Sequence, residues 1–184
     1  MVDRLIPCQE LSEELRMAAA ELAVEAMSDL YDPVRADILP VLTSEFLVHE
    51  CELGDGLALL GQGMIGLVAH YPADQLTDRQ RASLHHALGG LDREAAASLI
   101  AQLRQQSATM PSELAAGQYI ARFAVPESSR GVGTADRLMT LFAADRPVIS
   151  LHVLSDNRRA IAFYRRHGFV ERGNSEQFLL MIRA

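Results

Sequence analysis

The fold of this chain is decided by residues 119–141, which read YIARFAVPESSRGVGTADRLMTL. Residues 119–125 form an apolar run that predicts a strand, residues 130–135 form a glycine-bearing turn, and the segment that follows has helical spacing. Glycine lets the backbone approach a ligand closely, and the free N–H groups and positive dipole of a helix N-terminus hold phosphate oxygens. This strand, turn and helix therefore predict an anion-binding site.

A second stretch, residues 151–169, reads LHVLSDNRRAIAFYRRHGF and predicts a fifth strand followed by a helix. In that helix Asn157, Ala160, Ile161 and Tyr164 recur at steps of three and four, so they share one face. A phenol has an unperturbed pKa near ~10, so Tyr164 is a proton donor at neutral pH and suits a general acid. The alternative interpretation is a buried tyrosine whose hydroxyl has a hydrogen-bond partner.

Together, the Arg-x-x-Gly-x-Ala turn at residues 130–135 and the series Asn157, Ala160, Tyr164 and Gly168-Phe169 resemble the GNAT superfamily of acyl-CoA-dependent N-acetyltransferases. The resemblance runs from about residue 57 to residue 181. It implies an α/β fold of the GNAT-like acyl-CoA N-acyltransferase type, with a mixed, mostly antiparallel sheet flanked by helices. In this fold the fourth and fifth strands splay to admit a thioester. A length of 184 residues and a hydrophobic fraction of 49% predict one domain over residues 1–184.

The resemblance implies acetyl-CoA as cosubstrate and direct transfer of its acetyl group, in a ternary complex, to a primary amine of a small molecule or peptide. Tyr164 is the implied catalytic acid, and a backbone N–H of the fourth strand would hold the oxyanion. The implied coenzyme contacts are Ala124 and Val125 for pantetheine, Arg130, Gly131, Val132, Gly133, Thr134 and Ala135 for pyrophosphate, and Asn157, Ala160 and Tyr164 in the following helix.

The sequence alone does not decide which group is the general base. Some members of the resembled family carry a glutamate on the fourth strand, and the corresponding position here is Tyr119, on the face shared with Ala121, Phe123 and Val125. The nearest candidates are His152 on the fifth strand and Glu113 before the fourth, and a water chain is the other route. A histidine on an apolar strand is more often packed than catalytic, and Glu113 is more often a solvated loop acid.

The missing carboxylate and an unusual helical insertion motivate an alternative function, a noncatalytic acyl-CoA-binding or sensing module. A third possibility is a structural interaction domain that uses the inserted helices. Other nucleotide-binding classes fit less well. A dinucleotide fingerprint needs a third glycine where this chain has Ala135, and a phosphate-binding P-loop needs a lysine. All 17 basic residues are arginine, which also excludes Schiff-base chemistry.

A net charge of -7 argues against a nucleic-acid partner. The adjacent pair His85-His86 diverges on a helix and predicts no metal site.

A helical insertion is the main departure from the resembled family. After a hairpin at residues 57–60 and 64–70, about residues 72–116 intervene before the fourth strand. A capping box at residues 77–80 and a capping Asp92 predict two helices, the first of which ends at Gly89-Gly90. Ala95, Leu99 and Leu103 give the second helix an apolar stripe. This stripe covers either the acceptor pocket of the same subunit or the surface of a second copy in a homodimer.

Before the hairpin, the chain predicts a short strand at residues 5–7, a helix that opens at Leu11-Ser12 and a helix around residues 34–48 that Pro40 kinks or breaks. At the other end it predicts a last strand at residues 177–183 after a turn at Gly173-Asn174. Two cysteines predict single buried thiols. The most apolar window, residues 56–69, is short and interrupted by glycine, so we expect a cytoplasmic protein with no membrane partner. In the resembled family the region of residues 31–50 borders the acceptor pocket, so its acids could attract a cationic amine. Charged residues on short helices are more often solvated, and we expect that of these four: Asp29, Asp32, Asp37 and Glu45.

Overall fold

A computed structural model describes residues 4–107, 110–111 and 113–184 of the protein. One sheet contains all strands of these residues: β1 (Leu5–Pro7), β2 (Leu57–Leu60), β3 (Met64–Pro72), β4 (Gln118–Ala124), β5 (Ile149–Leu154), β6 (Val170–Asn174) and β7 (Phe178–Arg183). Their order is β1-β2-β3-β4-β5-β7-β6. Neighbouring strands are antiparallel except β4 and β5, which are parallel. The predicted mixed, mostly antiparallel sheet is confirmed.

The helices are α1 (Glu13–Ala26), α2 (Ser28–Tyr31), α3 (Arg35–Glu45), α4 (Leu76–Gly90), α5 (Arg93–Ser107), α6 (Thr134–Ala143) and α7 (Arg158–Arg166). Two predicted helix starts are confirmed by their caps. The Ser12 hydroxyl accepts a hydrogen bond from the backbone N–H of Leu15 at 3.3 Å, and Asp92 Oδ1 accepts one from that of Ala95 at 2.8 Å. Among the described residues, none of the helices has the length and apolarity needed to cross a bilayer.

The sheet carries helices on both faces. On one face α1 packs against β3 and β4, and α3, α4 and α5 add a second layer beyond it. On the other face α6 packs against β3, and α7 contributes to the same core. Because side chains alternate along a strand, Leu67 and Ala69 of β3 join the α1 core, whereas Val68 joins the α6 core.

A β-bulge in β4 decides which side chains share a face. Ala69 of β3 pairs with Arg122 while His70 pairs with Ile120, so Ala121 is an extra residue in β4. The bulge turns Arg122 to the face of Tyr119, and it turns Phe123 to the α7 side, where its ring lies 5.4 Å from that of Phe163. The prediction that Phe123 and Val125 share a face with Tyr119 and Ala121 is therefore wrong.

Strands β4 and β5 separate early. They pair only from Gln118 and Ile149 to Ile120 and Leu151, although β4 continues to Ala124 and β5 to Leu154. The opening leaves the last part of β4 without a partner on its β5 side. This is the splay that the resemblance implied.

Three predicted element boundaries are wrong. The capping box at residues 77–80 does not form, because a 3₁₀ turn at Ala73–Gln75 leads directly into α4, whose N-cap Gln75 makes no side-chain capping bond. Helix α3 ends at Glu45 and not near residue 48, and Pro40 lies within it without breaking it. Gly173 and Asn174 belong to β6, a strand that was not predicted, and the turn comes later, where the Ser175 N–H bonds the Phe178 carbonyl at 2.8 Å.

The helical insertion packs on its own subunit. Helix α4 contacts α3, α5 contacts α2, and Ala95 and Leu99 are buried in the same core as α1 and α3. The apolar stripe of α5 therefore covers this subunit, the first of the two alternatives. Both cysteines, Cys8 and Cys51, are free and buried, as predicted.

Candidate active site

A groove of about 430 Å³ lies where α6 and α7 begin beside the end of β4. We call it the turn groove because the glycine turn forms one of its walls. The turn holds Gly131 at φ +80° and Gly133 at φ +82°, left-handed conformations that favour glycine. A Cβ atom at either glycine would meet nothing within 4 Å, so the backbone of the turn is openly accessible.

The N-terminus of α6 points an unsatisfied set of donors into the turn groove. Gly133 is the N-cap and provides no side chain, and the first N–H groups of any α-helix lack partners within the helix. Ala135 and Asp136 of the first turn line the groove. Backbone donors and the helix dipole together suit a phosphate-like anion.

Three arginines add positive charge to the turn groove: Arg130, Arg159 and Arg166. Arg130 lies 3.5 Å from Glu25, and Arg166 lies 3.6 Å from Asp136, in partly exposed ion pairs that are individually weak. Such guanidinium groups can turn to a bound anion at little cost.

The groove assembles most of the coenzyme contacts that the resemblance implied. Val132 and Thr134 are the exceptions, because Val132 is 75% exposed at the tip of the turn and Thr134 is buried beneath it. Sequence reasoning missed Glu25 of α1, which carries no local signal, and the ring of Phe163. The implied residues that line the groove are Ala124, Val125, Arg130, Gly131, Gly133, Ala135, Asn157, Ala160 and Tyr164.

Tyr164 stands at the inner end of the turn groove among aromatic rings. Its ring centroid lies 5.3 Å from that of Phe163, 5.4 Å from Phe169 and 6.2 Å from Phe123. Burial raises the pKa of Tyr164 above its ordinary value, so the hydroxyl keeps its proton. Within the described residues this hydroxyl makes no hydrogen bond. Helix α7, which carries Tyr164, begins at a cap in which Asn157 Oδ1 accepts a hydrogen bond from the Ala160 N–H at 3.0 Å.

A second cavity, of about 400 Å³, lies on the opposite face of β4, the face of Tyr119 and Arg122. We call it the inner chamber. The insertion helices α4 and α5 enclose it together with α2 and α3. Its apolar walls include Leu30, Leu42, Leu84 and Leu99, and its sheet wall includes Tyr119, Ala121, Arg122 and His152.

Tyr119 and His152 form a hydrogen-bonded pair in the sheet wall of the inner chamber. The Tyr119 hydroxyl lies 3.0 Å from His152 Nδ1, and His152 Nε2 lies 2.6 Å from the carbonyl oxygen of Pro111. A carbonyl oxygen can only accept, so Nε2 carries the imidazole proton and Nδ1 accepts the hydrogen bond from Tyr119. Burial lowers the pKa of His152 and raises that of Tyr119, so both groups are neutral. By contrast, Glu113 is exposed.

A buried ionic network lies beside this pair. Arg122 Nη2 contacts Glu52 Oε2 at 3.3 Å and donates a hydrogen bond to the Tyr31 hydroxyl at 3.1 Å. The other oxygen of Glu52 accepts a hydrogen bond from the Tyr71 hydroxyl at 2.9 Å. Helix α4 holds the loop that carries Glu52, because the Glu52 N–H donates to the Ser83 hydroxyl at 2.7 Å. The insertion is therefore part of the site.

Glu45 also faces the inner chamber, which corrects the prediction that it is a solvated acid. It is 2% exposed, and its Oε1 accepts hydrogen bonds from the Ser83 hydroxyl at 2.6 Å and from the Leu53 N–H at 3.2 Å. Burial raises the pKa of Glu45 to about 7. The chain after α3 folds back beneath α4 and covers this carboxyl. The other three acids, Asp29, Asp32 and Asp37, are exposed as predicted.

Comparison with known proteins finds acetyltransferases that share part of the sequence pattern and the fold. Residues 94–171 match the acetyltransferase (GNAT) domain family. An N-acetyltransferase from Staphylococcus aureus Mu50 is 18% identical, with a TM-score of 0.71, over 99% of this chain and 100% of that one. The PaiA N-acetyltransferase from Thermoplasma acidophilum in complex with coenzyme A is 12% identical, with a TM-score of 0.54, over 100% and 99% of the two chains.

A Bacillus subtilis acetyltransferase in complex with CoA is 11% identical, with a TM-score of 0.51, over 98% of this chain and 97% of that one. At such identities the likeness shows the fold. No protein of curated function matches the sequence. Residues 94–171 therefore resemble an acetyltransferase (GNAT) domain, and the chain shares its overall fold with solved acetyltransferases.

Proposed function

We propose that this protein transfers the acetyl group of acetyl-CoA to a primary amine of a small molecule or peptide, by direct attack in a ternary complex. The observation that carries the proposal is the pair of cavities on either side of β4, at the point where β5 leaves it unpaired. The turn groove is built for a phosphate-bearing thioester, and the inner chamber has a proton acceptor in its wall. The enclosure of the chamber favours a small molecule.

In this proposal acetyl-CoA lies along the turn groove. The N–H groups at the start of α6 and Arg130 hold its pyrophosphate, and the unpaired edge of β4 at Ala124 and Val125 takes the pantetheine amides. The thioester then reaches Tyr164. The acids Glu25 and Asp136 that pair with groove arginines are displaced when the coenzyme binds.

The chemistry follows from the groups that surround the thioester. The nitrogen lone pair of the amine attacks the carbonyl carbon, and an unpaired N–H of β4 stabilises the oxyanion. One amine proton passes to the Tyr119 oxygen while the Tyr119 proton passes to His152 Nδ1, so that the imidazolium keeps its hydrogen bond to Pro111. The C–S bond breaks and Tyr164 protonates the departing sulfur.

The test is calorimetric titration of acetyl-CoA, followed by thiol release with a panel of amines and mass measurement of the acetylated product. We expect saturable binding and amine-dependent thiol release in equal amounts with product. Binding without turnover across the panel would favour the acyl-CoA-binding or sensing alternative instead. No binding would contradict both proposals.

The first prediction concerns the anion site, where Gly133→Asp should weaken acetyl-CoA binding by about 10- to 100-fold. The new carboxylate would lie at the start of α6, where two negative charges about 5 Å apart repel by about 3 kcal/mol before salt screening. Each factor of ten in the dissociation constant corresponds to about 1.4 kcal/mol. Calorimetric titration of acetyl-CoA measures the change.

Two matched variants separate charge from backbone conformation. Asparagine tolerates the left-handed region about as well as aspartate, so Gly133→Asn should bind acetyl-CoA within about threefold of the parent protein. Gly168 has a similar φ of +84° outside the turn groove, so Gly168→Asp should leave coenzyme affinity unchanged. Equal loss of affinity in Gly133→Asp and Gly168→Asp would argue against an anion site at the turn.

The second prediction concerns the proton acceptor, where Tyr119→Phe and His152→Asn should each lower kcat by about 10²-fold, the lower end for general acid–base catalysis. The asparagine side chain in His152→Asn would still accept a hydrogen bond from Tyr119 but could not take its proton at neutral pH. Because the two groups act as a unit, the double variant should be no slower than the slower single variant. Steady-state kinetics measure all three.

His70 provides the control for this prediction. Like His152 it is partly buried with a pKa lowered by burial, but it packs on Phe142 of α6 at 4.9 Å, on the face opposite the inner chamber. His70→Asn should retain kcat. If the losses in Tyr119→Phe and His152→Asn multiply in the double variant, the pair does not act as one relay.

A further inference from the structure

The inner chamber contains one buried carboxyl that has no cationic partner among the described residues. Glu45 is held by two neutral donors, the Ser83 hydroxyl and the Leu53 N–H, and both bonds go to Oε1. Within the described residues its Oε2 makes no hydrogen bond. A carboxyl removed from water without a counter-charge is costly to ionise, and burial has raised its pKa to about 7. A cation in the chamber would remove that cost.

The other charges around the inner chamber are already compensated. Arg122 is paired with Glu52, and Arg81 at the rim is 75% exposed and paired with Asp78 at 3.4 Å. His152 is neutral because burial lowers its pKa. The groups whose charges act on Glu45 or respond to it are Glu52, Arg122, Tyr31 and Cys51. Of these only Arg122 is cationic, and it is engaged by Glu52.

Glu45 and the proton acceptor occupy different walls of the chamber. Glu45 ends α3 and bonds to α4, whereas Tyr119 and His152 lie in the sheet. The charges of the Glu52–Arg122 pair act on both groups, but the pair makes no direct hydrogen bond to Glu45, Tyr119 or His152 among the described residues. Apolar side chains of α2, α3, α4 and α5 line the walls. One nitrogen cannot stay charged beside Glu45 and also attack the thioester beside Tyr119, because the attacking nitrogen must be neutral when it reacts.

We propose that the acceptor is a dibasic amine, two basic nitrogens joined by an apolar segment, and that Glu45 binds the charged nitrogen while the other reaches Tyr119. This inference rests on the proposed acetyl transfer and names its substrate class. Glu45 is a specificity-determining residue in this arrangement. The insertion helices supply Ser83 and the apolar walls, so they select the acceptor.

The test is a series of α,ω-diamines of increasing length, each compared with the monoamine and the ω-amino acid of the same length. With acetyl-CoA saturating, the best diamine should exceed its monoamine in kcat/KM by about tenfold or more, the worth of one charge-assisted hydrogen bond. Glu45→Gln should remove this advantage, so that the diamine and the monoamine of the same length have equal kcat/KM. Glu50→Gln, an exposed acid of the following loop, should retain it.

A binding measurement separates this inference from the proposed function. The protein saturated with coenzyme A should show a diamine-dependent rise in unfolding temperature that Glu45→Gln loses. Such a rise in unfolding temperature without thiol release would support the role of Glu45 in binding the diamine and contradict the proposed acetyl transfer. Thiol release that is equally fast with diamine and monoamine, or fastest with the ω-amino acid, would overturn the role of Glu45 and leave the proposed acetyl transfer intact. The variant should fold, because glutamine Oε1 can keep both hydrogen bonds.

Discussion

Arg122→Met is expected to lower the free energy of unfolding by about 3–5 kcal/mol, the usual cost of removing one partner from a buried ion pair. The side chains of Arg122 and Glu52 are only 7% and 12% exposed, so the substitution would leave the Glu52 carboxylate buried without its counter-charge. It would also remove the hydrogen bond to the Tyr31 hydroxyl. Urea denaturation at pH 7 measures the change.

Two comparisons test the reason for this loss. Adding Glu52→Gln to Arg122→Met removes the uncompensated charge but keeps an acceptor for the Tyr71 hydroxyl, so the double variant should recover about half of the lost stability. Arg35→Met breaks the exposed pair with Asp32 and should cost less than about 1 kcal/mol. If Arg122→Met cost no more than Arg35→Met, the buried network would not be a stability determinant.

The turn groove was predictable because its determinants are local. A left-handed Gly133 before a helix, and Tyr164 seven residues after the capping Asn157, are set by backbone geometry within short segments. Helical spacing alone places Tyr164 on the face of Ala160, and both line the groove. The two exceptions lie outside the groove for different reasons. The side chain of Val132 is exposed to solvent, and that of Thr134 is buried beneath the turn.

The inner chamber was not predictable from local patterns. Its position depends on the bulge at Ala121, because a single inserted residue reverses the facing of every later side chain in β4. Glu45 looks like a surface acid until α4 packs over it, and Glu52 meets Arg122 across a sequence separation of 70 residues. Tertiary packing decided these contacts, so the proposed roles of Tyr119 as proton relay and of Glu45 as anchor needed the structure, although His152 was already a candidate base from the sequence.

Tyr164→Phe is expected to lower kcat by about 10³-fold, within the range for loss of a general acid. The apolar rings around Tyr164 cannot solvate a departing thiolate, so the sulfur needs this proton as the C–S bond breaks. Phenylalanine preserves the ring packing, and the affinity for acetyl-CoA should be unchanged in calorimetric titration. Steady-state thiol release measures kcat.

The leaving group and the pH profile distinguish proton donation from packing. An acetyl thioester of a more acidic thiol needs less assistance, so the loss in Tyr164→Phe should shrink with it. Because burial raises the pKa of Tyr164, the protonated acid persists beyond its ordinary value of ~10. The parent rate should therefore rise from pH 6 to pH 9 as the amine loses its proton, with no descending limb from Tyr164. Equal loss for both thioesters would mean that the hydroxyl orients the substrate and does not protonate the sulfur.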